Sequence, residues 1–130
     1  MVVPADNVKI MGNPPFVGAR MQNDVQKKDL LSVCIDSDGE PVKRGKFLDY
    51  VSGWYFKAAR YIAGTKITAA FVSTNSICQG EQVPILWENL QKNYHIHICF
   101  CYRTFVWDSE AQEKAHVHCV IIGFSAFDYP

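Results

Sequence analysis

Val8-Lys9-Ile10-Met11-Gly12-Asn13-Pro14-Pro15-Phe16-Val17-Gly18 is an apolar run that stops at a glycine and then turns on two prolines. Its first four residues, short and rich in β-branched side chains, predict a strand entering a buried sheet, and Gly12 ends it. Pro14 and Pro15 hold φ near about −65° and carry no N–H, so the chain leaves the sheet in a rigid turn whose carbonyls lack the usual local donors. Those carbonyls are free to accept. Asn13 adds an amide oxygen beside them, and Phe16 adds a flat π-face. The set suits a planar amine carried on an aromatic ring, gripped by two acceptors and covered by one ring. The same residues also describe an ordinary Pro-Pro turn with a buried phenylalanine. Their placement at a strand exit, and the blocks that follow, favour the chemical reading.

Downstream, residues 19–31 present a polar face of Gln22, Asp24, Gln26, Lys27, Lys28 and Asp29, with Met21, Val25 and Leu30 as the apolar minority, which predicts a short surface helix. Residues 36–45 have the composition of a loop, and Lys43, Arg44 and Lys46 are read as a solvated charged segment before a phosphate contact. Leu48, Val51, Tyr55, Ala58, Ala59 and Ile62 follow the i, i+3, i+4, i+7 spacing of a helix that stops at Gly64. Residues 66–72 are almost continuously apolar, as in a parallel strand covered on both faces, and end in Ser73-Thr74-Asn75-Ser76. A second helix is predicted over 81–92, with Pro84 in its first turn and Val83, Leu86, Trp87 and Leu90 on one stripe. Two strands, 95–107 and 117–124, flank the polar segment 108–114.

This order describes an open α/β sheet with three parallel strands and a last strand antiparallel to its neighbours, because right-handed crossovers align the first three. Ligands of such sheets sit beyond the carboxyl ends of the strands. Asn13, residues 73–76 and residues 103–107 fall at those ends.

At 130 residues the chain holds one module at most. Its net charge of +0 argues against a free-standing nucleic-acid binder, which usually carries a basic excess to neutralise phosphate. Five cysteines, an odd number without a secretory leader, point to a reducing, cytoplasmic setting. No apolar run approaches the roughly 20 residues that span a bilayer.

Asn13-Pro14-Pro15-Phe16 resembles the catalytic motif of amino-group DNA methyltransferases. The wider run IMGNPPFVGARMQNDVQKKDL is similar to the adenine methyltransferase domain of MmeI-like restriction-modification enzymes. LDYVSGWYFKAARYI, FVSTNSICQGEQV, and YRTFVW continuing to VHCVIIGFS carry the likeness through nearly the whole chain. The resemblance implies the C-terminal half of a class I S-adenosylmethionine-dependent methyltransferase, a Rossmann-like sheet of three parallel strands and one antiparallel strand with flanking helices. It implies methyl transfer to the 6-amino group of an adenine flipped out of double-stranded DNA, with Asn13, Pro14, Pro15 and Phe16 catalytic. By position in the family pattern, Phe105 and Trp107 line the base pocket, and Asp49 and Tyr50 lie beside the cofactor. No metal is implied.

A complete enzyme of this kind carries a strand and a glycine-rich cofactor turn before the motif, whereas only a few residues precede Asn13 here. Residues 1–130 are therefore expected to be a partial catalytic domain, without the N-terminal cofactor half or a target-recognition domain. Such a piece should bind cofactor weakly, leave the strand at residues 8–11 unpaired on one side, and need its missing half or oligomerise.

Three alternatives compete. His95, His97, Cys99 and Cys101 alternate along one strand and His116 and His118 along the next, so a zinc-binding module is one, although no C-x₂-C pair is present. An Asn-Pro-Pro motif also suits protein amide nitrogens and RNA bases, although those enzymes favour tyrosine in the fourth place. A non-enzymatic DNA-binding module would use Ser73 to Ser76 and Gln79, residues that equally suit a helix cap.

Overall fold

The computed structural model describes residues 8–107 and 117–127, with the backbone alone for 104–107 and 117. Four strands form one sheet in the order β1 (Lys9–Gly12), β2 (Thr68–Thr74), β4 (Val117–Ser125), β3 (His97–Trp107). β1 pairs parallel with β2, and β4 runs antiparallel to both β2 and β3, so β1, β2 and β3 share one direction and β4 opposes them. Their carboxyl ends therefore open onto one edge of the sheet, where Asn13 and Asn75 follow neighbouring strands.

The helices form where the spacing predicts, with shifted bounds. α1 (Asp24–Val33) begins late because Asn23 caps it: its Oδ1 accepts from the Gln26 N–H at 2.8 Å, and Gln26 Oε1 accepts from the Asn23 N–H at 2.9 Å. Of the three apolar residues expected on its inner stripe only Leu30 is buried, since Met21 precedes the cap and Val25 faces outward. α2 (Ser52–Ile62) buries all of Leu48, Val51, Tyr55, Ala58, Ala59 and Ile62 on or just before it, and Gly64 takes the positive φ of 74° that ends it.

The second predicted helix is compound: a π-helical segment over Val83–Glu88 leads into α3 (Asn89–Tyr94). Bonding of the i→i+5 type turns the chain differently from an α-helix. Ile85 and Leu86 consequently face the core, while Val83, expected on the stripe, is 38% exposed. The Asn89 side chain donates to the Ile85 carbonyl at 2.6 Å, bridging one turn of this stretch.

The core lies on one face of the sheet. Tyr55 of α2 is its hub, with ring centroids 5.2 Å from Phe71, 5.3 Å from Trp87 and 5.2 Å from Phe124. Its hydroxyl and that of Ser73 share a buried hydrogen bond of 2.6 Å. Residues in register on neighbouring strands share a face. Ala69 and Phe124, Phe71 and Ile122, and Ser73 and Val120 are such pairs, and all are buried under the helices.

Among the described residues β1 pairs only with β2, so its other side is unpaired as expected, but Met11 on it is 83% exposed where the apolar run predicts a buried strand. β2 was read as covered on both faces, yet its alternate residues Thr68, Ala70, Val72 and Thr74 are only half-buried. Period-2 alternation decides this: the same strand shows a packed face to α2 and an open one to the other side.

Candidate active site

The motif is anchored at both ends. Upstream, Gly12 lies opposite Phe71 in the β1–β2 ladder, and a Cβ there would come within 3.3 Å of the Phe71 ring, so glycine allows the strand tip to close onto that ring. Downstream, three contacts hold Val17. Its N–H donates to Asp49 Oδ1 at 3.1 Å, and its carbonyl accepts from the Tyr50 N–H at 2.9 Å and from Gln22 Nε2 at 3.1 Å. Between these anchors Pro14 is buried, Phe16 packs against the core, and Asn13 is exposed. Among the described residues, neither the Asn13 side chain nor the Pro14 carbonyl takes part in a hydrogen bond. Both acceptors are available.

Asn13, Pro14 and Pro15 line an open hollow of about 600 Å³, with Ile10 and Met11 of β1, Phe71 of β2, and Trp54, Lys57, Ala58 and Tyr61 of α2 making up most of the rest. A second hollow of about 370 Å³ lies between α1 and α2, with Asp29, Leu30 and Tyr50 on its wall. Trp54 and Lys57 line both. Neither was singled out from the sequence; their position in the block that runs from Leu48 to Ile62, one turn apart on the helix after the motif, was the available signal.

Asp49 and Tyr50 diverge although adjacent. The Tyr50 ring meets Trp54 edge-on at 5.3 Å. Asp49 is 4% exposed, and its Oδ1 accepts from both Val17 and Val51 N–H groups, the latter at 2.9 Å. Burial pushes the Asp49 carboxyl above its ordinary range, outweighing the two amide bonds that favour the anion.

Phe105 and Trp107 belong to the backbone of β3, where Phe105 lies opposite Cys119 and Trp107 opposite Val117; their side chains, like the segment 108–114, fall outside the described residues. Ser73 is buried in its bond to Tyr55, and Thr74 caps the 3₁₀ turn Asn75–Cys78 by accepting from the Ser76 N–H. Trp87 Nε1 secures that turn by donating to the Ile77 carbonyl at 3.0 Å.

The thiols give no sign of a nucleophile where shifts are resolved: burial pushes Cys34 to about 12 and Cys78 to about 11, so both stay protonated at neutral pH. His95 lies before β3 in the left-handed region, with φ of 58°, and a register shift between Ile98 and Phe100 interrupts the alternation on which the zinc alternative depends. Among the described residues no three His, Cys, Asp or Glu side chains gather as metal ligands. His97 Nε2 instead lies 2.7 Å from the Phe127 carbonyl. No helix among the described residues is long and apolar enough to cross a membrane.

Comparison with known proteins places this geometry in context. DNA methyltransferase A of Bacillus subtilis (strain 168) is 44% identical over 124 residues, which cover 95% of this chain and 13% of that protein. The solved structure of the Type IIL restriction-modification enzyme MmeI in complex with DNA is 52% identical and superposes with a TM-score of 0.80, over 93% of this chain and 16% of that one. The chain thus spans a small part of the length of the relatives it matches. The family model described as the DNA-methyltransferase domain of MmeI matches residues 2–129, and with it the chain belongs to the MmeI DNA-methyltransferase domain family.

Proposed function

We propose that this chain is the motif-bearing half of an adenine-specific DNA methyltransferase domain in a restriction-modification enzyme, with the sheet of a class I, Rossmann-like methyltransferase. The observation that carries the reading is Asn13, exposed at the lip of a hollow and held between two anchored ends with its amide unbonded. An exocyclic amine on a purine is a poor nucleophile because its lone pair is delocalised into the ring. The Asn13 side-chain oxygen and the Pro14 carbonyl accept hydrogen bonds from its two N–H groups and orient the nitrogen, so that the lone pair is released along the line of attack. No strong base is needed, because the amine proton becomes acidic as the new bond forms and then leaves to water.

Phe16 stacks on the extruded base. Such stacking is worth roughly 1–3 kcal/mol, comparable with the few kcal/mol that leaving the duplex costs. Phe105 and Trp107 supply the far wall of the base pocket in this reading. S-adenosylmethionine, when bound, supplies the electrophilic sulfonium methyl. The open hollow beside Asn13, about 600 Å³, lies within the range of small-molecule sites, roughly 300–1,000 Å³, and carries the Trp54 and Tyr61 rings on its wall. Tyr50 serves the cofactor side, whereas Asp49, which the resemblance also puts there, is buried with its Oδ1 on two main-chain amides. The partner is duplex DNA, and the remainder of the catalytic domain, or a second copy, completes the site.

The test is methyl transfer from tritiated S-adenosylmethionine to duplex DNA, by the protein that carries this chain in the longer context of its relatives, with the product base identified by mass spectrometry. N6-methyladenine is expected, and Asn13→Ala should lower the rate by about 10²- to 10³-fold, the scale of losing one preorganised polar contact to the reacting group. Methylation of cytosine, RNA or protein in its place, or full adenine methylation by Asn13→Ala, overturns the reading.

A further inference from the structure

Asp49, Gln22 and Gln82 are polar side chains that hydrogen-bond main-chain groups around the exit of the motif. Asp49 Oδ1 accepts from Val17 and Val51. Gln22 Nε2 donates to the carbonyls of Val17 and, at 3.0 Å, Leu48. Gln82 Oε1 accepts from the Asp49 N–H at 3.1 Å, and its Nε2 donates to the Phe47 carbonyl at 2.6 Å. Together they tie three segments at the carboxyl edge: the exit of the Asn13-to-Phe16 motif, the turn before α2, and the turn after β2.

We propose that Asp49 is a positioning residue for the motif, holding Asn13 in place through the Val17 peptide, and that Gln82 makes the loops after β1 and β2 move as one unit. The proposal rests on the methyltransferase reading for what is positioned. It assigns Asp49 an action on the protein's own backbone, where direct contact with the cofactor would use its negative charge. Three features support it. Val17 follows Phe16 directly, so its peptide is the nearest point at which the motif can be gripped from outside. Both amide bonds fall on the single oxygen Oδ1, which an asparagine side chain also provides. The carboxylate is also buried, where a bond to a fixed main-chain amide is rigid.

This separates charge from geometry in an experiment. Amide hydrogen exchange of the 130-residue chain, followed by nuclear magnetic resonance, reads Val17 and Val51 directly, with Phe71 in β2 as the internal report of folding. Asp49→Ala should speed exchange at Val17 by at least about tenfold while Phe71 stays protected, and Asp49→Asn should keep Val17 within about threefold of the native rate. Gln82→Ala should loosen the Asp49 and Val17 amides together. In the methylation assay with the longer protein, Asp49→Ala should lower kcat by about 10²-fold, the scale of a small misplacement, with KM for cofactor nearly unchanged, and Asp49→Asn should restore it.

Unchanged exchange at Val17 in Asp49→Ala overturns the proposal. So does an Asp49→Asn protein as impaired as Asp49→Ala, because the charge would then be the essential property. Global loss of protection in Asp49→Ala leaves the decision to Asp49→Asn. The exchange readout involves no methyl transfer, so failure of the methyltransferase reading and failure of this one are told apart.

Discussion

The two faces of the sheet are made by the same strands, one residue out of step, and they end in opposite states. On one, Ala69, Phe71, Ser73, Val120, Ile122 and Phe124 are buried beneath α2 and α3. On the other, the row Met11, Ala70, Gly123, Phe100 and the row Val72, Ile121, Tyr102 are apolar as well, yet Met11 is 83% and Tyr102 58% exposed. Those two rows are not what a solvent face needs, since a sheet meant to face water alternates apolar with polar residues, although the neighbouring row Lys9, Thr68, Ser125 and His97 on the same face is polar. Phe100 already lies across Gly123, where any Cβ would overlap its ring, so this face is closed locally by one aromatic side chain. The difference teaches that an apolar sheet face is packed only where the connections bring helices to it. Both crossovers, β1 to β2 through α2 and β2 to β3 through α3, lie on the same side.

The comparison is broken most easily by truncating each face in turn. Phe124→Ala removes a fully buried ring from the Tyr55 cluster and should cost about 3–5 kcal/mol in urea unfolding, while Tyr102→Ala should cost well under about 1 kcal/mol. Equal losses would mean that the faces are energetically alike. A smaller effect tests a polar contact inside the packed face. Tyr55→Phe leaves the Ser73 hydroxyl buried without its partner, and a loss of about 1–3 kcal/mol is expected in the same measurement.

On the open face the readout is association. The chain should sediment as an oligomer, and Met11→Ser with Tyr102→Ser should shift it toward monomer while moving stability by no more than about 0.5 kcal/mol. A native chain that is monodisperse, monomeric and cooperatively melting would contradict the view that this face and the β1 edge are sticky.

The smallest effect is at the rim, where Asp49 sits between packed and open regions. Its folded-state pKa is raised, so its contribution is fully present below the ordinary carboxylate value of about 4 and is lost as pH rises through the raised value. Asparagine imitates the neutral form. The stability of Asp49→Asn relative to the native protein should therefore grow as pH climbs from about 4 toward neutrality and then level off. A gap that widens toward acid would reverse the sign of the argument.

The helix through Tyr55 and the strand exit at Asn13 were legible because each is a local pattern: a 3.6-residue stripe ending at Gly64, and a β-branched run closed by glycine and proline. The compound π and α stretch was less so. Val83 and Ile85 both fit an apolar stripe, and only the packing under β2 and β4 selects Ile85. The capping box at Asn23 was visible as Asn-x-x-Gln, yet the apolar residues upstream of it drew the predicted helix five residues too early. Asp49 illustrates the limit at the site itself. Its position in the family pattern implied a place beside the cofactor, and only the fold brings it to the Val17 amide, 32 positions away in the chain.

By itself the sequence determined the order of elements and the placement of an asparagine and two prolines at a strand exit, because these depend on neighbours within one or two turns, and the rule of right-handed crossovers added the direction of the strands. The tertiary structure alone decided which sheet face is packed, which residue grips the motif and what lines the hollow beside it. Those are contacts between segments far apart in the chain, and no local periodicity encodes where two such segments meet.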